Sequence, residues 1–142
     1  MQFFFILLAT LALSATPPNE DQVRARKAAI GLASALKNEG FKARDGVFYG
    51  DLVHERAQVF SVYLFEGSIY WFCAASADPL GKIQIRLFDE GGALLPVRNY
   101  EAEALAACGV QPKKSGLYYL KVSGDLPESA KTIPFAVVYS FK

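Results

Sequence analysis

The chain of 142 residues has one histidine, His54, and one tryptophan, Trp71. A single imidazole cannot build a multi-histidine metal site, and it leaves one base for any serine or cysteine nucleophile. Excess charge of either sign is also missing. Fifteen Lys and Arg stand against fourteen Asp and Glu, for a net +1. Nucleic-acid binders carry a strong positive balance, so no nucleic-acid partner is expected. Two cysteines, Cys73 and Cys108, are too few and too widely spaced for a CxxC redox motif or a cysteine zinc cluster. No apolar run is long enough for a membrane span, which needs about 20 residues. What remains is a chain with 52% hydrophobic and 13% aromatic residues. That is too apolar for disorder and suits one domain.

The longest apolar run, Phe3 to Leu13, is interrupted only by Thr10. Its roughly eleven residues match the h-region of a secretory signal. Small residues follow in Ala12-Leu13-Ser14-Ala15, offering cleavage after Ser14 or Ala15. No Lys or Arg precedes the run, so the terminal amine alone supplies positive charge. A buried N-terminal strand or a short anchor is the alternative. Residues 1–15 are thus expected to be a signal peptide, and the protein periplasmic or secreted. No stable membrane insertion is expected after cleavage, and no cysteine follows the run to carry a lipid. Export would also permit oxidation, so Cys73 and Cys108 read as a structural disulfide, contributing about 3–4 kcal/mol by chain entropy. The alternative is two buried thiols that never meet.

Thr16-Pro17-Pro18 is a linker, residues 16–18, because neither proline suits a helix interior. A helix is predicted over residues 19–40. Asn19 is its N-cap, Gln22 completes a capping box, Glu20 and Asp21 face the dipole, and Gly40 ends it. Ala25, Ala29, Leu32, Ala33 and Leu36 share one face, with Val23 and Ile30 at its margin. Arg24, Lys27, Ser34 and Asn38 lie opposite. A face built mostly of alanine should pack closely, on a sheet of the same chain or on a second copy.

After Gly40 the hydrophobic period changes from helical to alternating. Gln58–Phe65, Ser68–Ala75, Lys82–Asp89, Ala93–Val97, Leu117–Ser123 and Ile133–Phe141 read as strands separated by turn residues. Glu101–Cys108 is ambiguous, since alanine and glutamate suit a helix while its neighbours argue for a strand. No crossover helices intervene. The expected fold is mainly β: an antiparallel β-sandwich or jelly-roll-like domain of seven or eight strands over residues 41–142, preceded by one N-terminal α-helix.

Three segments carry a family likeness: Leu64-Phe65-Glu66-Gly67-Ser68-Ile69-Tyr70, Leu87-Phe88-Asp89-Glu90-Gly91-Gly92 and Ser115-Gly116-Leu117-Tyr118-Tyr119-Leu120-Lys121-Val122. Over about residues 47–142 the chain resembles bacterial pre-peptidase C-terminal domains. That resemblance implies an exported jelly-roll-like sandwich of the kind appended to secreted enzymes as a non-catalytic module. Here no enzyme is attached and a helix precedes the module. Some members bind calcium, but Asp78, Asp89 and Glu90 are few for a cation wanting six to eight oxygens.

Catalytic patterns are weak. His54-Glu55-Arg56-Ala57-Gln58 has glutamine where HExxH needs its second histidine. A catalytic triad would need His54 with Ser61 or Ser115, and no GxSxG elbow is present. The carboxylate pairs Asp89/Glu90, Glu101/Glu103 and Asp51/Glu55 are ordinary for a surface. Gly91-Gly92 is a turn with no phosphate-loop lysine after it. No enzyme activity, cofactor or metal is expected.

The aromatics are more informative. Alternation puts Tyr63 and Phe65 opposite Phe60, Val62 and Leu64, and Trp71 opposite Tyr70 and Phe72. Tyr63, Phe65 and Trp71 are therefore the candidate binding residues, unless the helix covers them. The function expected is an exported, non-catalytic module that binds an envelope or extracellular protein or polymer. The alternative is a carbohydrate or small-ligand module using an aromatic sheet face.

Overall fold

The computed structural model describes residues 19–35, 40–43 and 47–142. The expected signal peptide and linker, residues 1–18, lie outside the described residues, as do Leu36 to Glu39 at the expected end of the helix.

Helix α1 spans Glu20–Ala35. The capping box forms as expected: the Gln22 N–H donates to Asn19 Oδ1 at 2.8 Å, and the Asn19 N–H donates to Gln22 Oε1 at 3.1 Å. These bonds occupy donors that a helix start leaves orphaned. Ala25, Ala29 and Leu32 are buried, while Val23 and Ile30 at the margin are exposed.

Among the described residues nine strands follow: β1 (Lys42–Ala43), β2 (Phe48–Val53), β3 (Gln58–Leu64), β4 (Tyr70–Ser76), β5 (Lys82–Asp89), β6 (Arg98–Ala102), β7 (Leu105–Val110), β8 (Gly116–Asp125) and β9 (Thr132–Phe141). They form two antiparallel sheets, a β-sandwich preceded by α1. The larger sheet has the order β1-β9-β4-β7-β6, with β2 also pairing along β9. The smaller sheet is β3-β8-β5.

The core lies between the sheets. Val62 and Leu64 of β3, Ile83, Ile85 and Leu87 of β5, and Tyr118, Leu120 and Val122 of β8 point into it. They meet Tyr70, Phe72, Cys108, Phe135 and Val137 from the larger sheet. The larger sheet has a second apolar face, and α1 lies across it against β9, β4 and β7. Ala25 packs on Ala77 and Ala136, and Leu32 on Cys73 and Ala107. The alanines let the helix approach closely. The expected docking of its small-residue face is thus made on a sheet of the same chain.

Four expectations need correction. Cys73 and Cys108 form no disulfide; both are free and buried. The register pairs Phe72 with Cys108 and Cys73 with Ala107. Successive side chains on a strand point to opposite faces, so Cys108 enters the sandwich core and Cys73 meets the helix. The ambiguous stretch 101–108 is a hairpin of two strands, β6 and β7, turning at Glu103, whose φ is 51°. Residues 93–97 make only an isolated bridge, Leu94 to Phe88, instead of a strand. Strands β1 and β2 were not anticipated: Gly50, Asp51 and the short length of β1 hide their alternation.

Candidate functional site

The outward positions of the smaller sheet follow from its alternation. Val59, Ser61 and Tyr63 point out from β3, Leu117, Tyr119 and Lys121 from β8, and Gln84, Arg86 and Phe88 from β5. The register sets them in rows: Tyr63 beside Leu117; Ser61, Tyr119 and Phe88; and Val59, Lys121 and Arg86. Val59 is 59% exposed, Tyr63 and Phe65 51% each, and Leu117 39%. Large apolar side chains from separate stretches of sequence thus share one open face.

Tyr63 and Phe65 meet with ring centroids 5.2 Å apart and planes at 63°, an edge-to-face contact. The turn after them is pinned. The Phe65 N–H donates to the Tyr70 hydroxyl at 2.9 Å, and the Glu66 N–H to Ser115 Oγ at 2.7 Å. Gly67, at φ 83°, supplies the left-handed residue of that turn. The polar side of the face carries Lys121 and Arg86, the latter paired with Glu101 at 2.5 Å.

Trp71 is elsewhere. It is on the outer face of the larger sheet, beside the helix, packed near Leu32 and Ala33. The structure therefore brings Tyr63 and Phe65 together but leaves Trp71 on the opposite side of the sandwich. The helix covers part of Trp71's face and none of theirs. One row across the larger sheet runs Arg98, Gly109, Trp71, Ser140. A Cβ at Gly109 would come within 2.7 Å of the indole, so the ring rests on bare backbone. The half-buried indole lines a groove of about 420 Å³ with Ile69, Pro96, Arg98 and Gln111. Arg98 makes no ion pair among the described residues.

A second depression, about 660 Å³, lies where the start of α1 passes the β4–β5 loop. Of its three charged groups, Asp21 and Arg24 pair with each other and Asp78 accepts the Leu80 N–H. The buried Ser76 hydroxyl lies 2.7 Å and 2.8 Å from the Asp78 and Gly81 carbonyls, where it fixes the loop.

The remaining sequence candidates do not converge. His54 is exposed on the β2–β3 turn. Ser115 Oγ is engaged by the Glu66 N–H. Asp78 and Asp89 sit at opposite ends of β5, where each carboxylate accepts a backbone N–H of its own loop, from Leu80 and Ala93 respectively. Among the described residues, no three His, Cys, Asp or Glu side chains gather to hold a metal. Nor is any described helix long and apolar enough to cross a membrane. Burial pushes both thiols up to about 12; for Cys108 the neighbouring Cys73 adds to this, while Arg86 opposes it. Such thiols stay protonated and unreactive at neutral pH.

Sequence reasoning named Tyr63, Phe65 and Trp71 but not Val59, Leu117, Arg98 and Gln111, which the structure sets near them. Alternation in β3 and β8 could have placed the first two. The last two reach Trp71 only through the β6–β7 pairing, which no local pattern announces. No protein-family model and no curated protein matches the chain.

Proposed function

We propose that this chain is an exported, non-catalytic module that docks another protein on the open face of β3-β8-β5. The observation that carries this reading is the unequal covering of the two sheets. A helix lies on the larger sheet, while the smaller one leaves Val59, Tyr63, Phe65 and Leu117 in water. The Tyr63–Phe65 pair beside Leu117, with Val59, Lys121 and Arg86 further along the same face, has the make-up of a protein interface, with aromatic anchors and a polar margin. The apolar leader at residues 1–15 supports export to the periplasm or beyond. The likeness to pre-peptidase C-terminal domains supports a module without chemistry of its own, as does the lone His54 on an exposed turn.

The test is crosslinked capture from envelope extract with the chain and with its Tyr63→Ser/Phe65→Ser form. One abundant partner should be recovered by the first and lost with the second, at an unchanged melting temperature. Equal recovery by both forms, or no enriched protein, would overturn the reading.

A second reading has its own observation. The Trp71 indole, backed by Gly109 and flanked by Arg98 and Gln111, is suited to stacking a sugar ring and hydrogen-bonding its hydroxyls. Trp71 is the sole tryptophan, so saccharide binding would shift the whole tryptophan emission. Arg98→Ala should abolish that shift; a glycan panel that leaves the emission unmoved would remove this reading.

A further inference from the structure

Each sheet edge exposes backbone donors and acceptors that invite another strand, and proteins normally obstruct such edges. Among the described residues, three of the four edges are obstructed. Strand β6 carries Arg98 and Glu101, with four of its five residues exposed. The free side of β5 is closed by hydrogen bonds at both ends: the Leu95 N–H donates to the Leu87 carbonyl, and the Ile83 N–H to the Glu103 carbonyl. On the edge opposite β6, strand β1 is two residues long and β2 bears Gly50 and Asp51.

Strand β3 has none of these devices. Its seven residues, Gln58 to Leu64, hold no charge, proline or glycine. Among the described residues it pairs with β8 on one side and with no strand on the other.

We infer that β3 pairs with the β3 of a second copy of this chain, antiparallel about a two-fold axis at Ser61. The strand is self-complementary about that residue. Antiparallel pairing there sets Val59 opposite the partner's Tyr63 on the outer face, and Phe60 opposite the partner's Val62 on the inner face. Every cross-strand pair but the central Ser61–Ser61 contact then joins β-branched or aromatic side chains, or Gln58 with Leu64, and no like charges meet. The register works whether Ser61 points its backbone toward β8 or away, because a two-fold axis accommodates either antiparallel pair. The product is one continuous six-stranded sheet with the two open faces side by side. A bivalent surface would result, gaining avidity for a repeating partner. The pairing itself stands independently of any partner.

The test uses protein expressed from the full coding sequence, with its own leader, and followed by sedimentation across concentration. A reversible dimer is expected. Ser61→Lys and Ser61→Glu each place like charges opposite one another at the axis, and each should weaken the dimer about tenfold. Their equimolar mixture should restore it to within about twofold, because Lys then faces Glu. Hydrogen exchange supplies the readout that needs no variant: β3 amides should gain protection as concentration rises. A wild-type monomer at every soluble concentration would overturn the inference. So would a dimer indifferent to Ser61 charge, or β3 protection that appears only when a foreign peptide is added.

Discussion

The two sheets of this sandwich are built from the same kinds of residue and meet opposite environments. In β4 of the larger sheet, Tyr70 and Phe72 to Ser76 are buried and only Trp71 is half-buried, because the smaller sheet lies on one side and α1 on the other. In β3 of the smaller sheet, Val62 and Leu64 are buried while Val59, Ser61 and Tyr63 are exposed. The difference shows that apolar content alone does not mark a core. Cys73 and Tyr63 both face outward from their sheets, yet the helix seals the first and nothing among the described residues seals the second.

That contrast is easiest to break from the covered side. Leu32→Ala removes the largest side chain that α1 buries, and should cost about 2–4 kcal/mol by lost transfer energy and the cavity left behind. Tyr63→Ser on the open face should change stability by less than about 0.5 kcal/mol. Urea denaturation of both variants tests the pair. A Tyr63→Ser loss as large as that of Leu32→Ala would mean that the smaller sheet is covered too.

The next effect falls at Gly109, where the covered sheet carries the indole directly on its backbone. Gly109→Ala would bring its methyl within 2.7 Å of the Trp71 ring, closer than van der Waals contact allows, and should cost about 1–3 kcal/mol as the ring is displaced. Tryptophan emission should move to the red as the indole becomes exposed. An unmoved spectrum with unchanged stability would show that the ring does not rest on the glycine.

The thiols sharpen the comparison by pH. Both have folded-state values near 12 against about 9 in the unfolded chain. Unfolded thiols therefore lose protons first, and above pH 9 the unfolded state holds fewer of them. Stability is fully present below pH 9 and declines as pH rises toward 12. Other groups titrate in that range, so the diagnostic is the difference between wild type and Cys73→Ala or Cys108→Ala. Each variant should flatten the alkaline decline. At neutral pH a thiol reagent should label neither residue until the protein unfolds, and then label two per chain. Native labelling of Cys73 alone would show that the helix lifts from its sheet.

How much of this was legible follows the same division. The smaller sheet alternates cleanly, so β3, β5 and β8 could be read almost to the residue. Asn19 and Gln22 announced the helix start, because a capping box is a local device. The larger sheet was harder. Strand β7, buried on both faces, loses its alternation, so Glu101–Cys108 stayed ambiguous between helix and strand, and the β6–β7 turn at Glu103 stayed hidden. The cysteines misled for a related reason. Both lie on neighbouring strands, but pairing register decides which face each takes, and a shift of one residue inverts it. Tyr63, Phe65 and Trp71 were recognised as outward-facing, but which sheet owned each was a property of topology. That is why the three rings divide between two sheets.

The smallest effect concerns the places where the sheets join. Two non-glycine residues adopt left-handed backbone, Glu55 at φ 58° and Glu103 at φ 51°. Glu55 sits in the turn that carries the chain from β2 in the larger sheet to β3 in the smaller. Glu103 turns β6 into β7, and its carbonyl accepts the Ile83 N–H of β5 across the sandwich at 3.0 Å. Both side chains are exposed, so removing them loses little packing. A left-handed L-residue is strained by about 1–2 kcal/mol, whereas glycine loses more entropy on folding. The net expectation for Glu55→Gly or Glu103→Gly is a gain of about 0.5–1 kcal/mol. Gly67→Ala, at φ 83° with open space around its missing Cβ, should lose a similar amount for the same reason in reverse. The three variants together separate backbone strain from packing, since none of them touches the core. A destabilised Glu103→Gly beside a stabilised Glu55→Gly would place the cost in the Ile83 bond, and so in the strap between the two sheets.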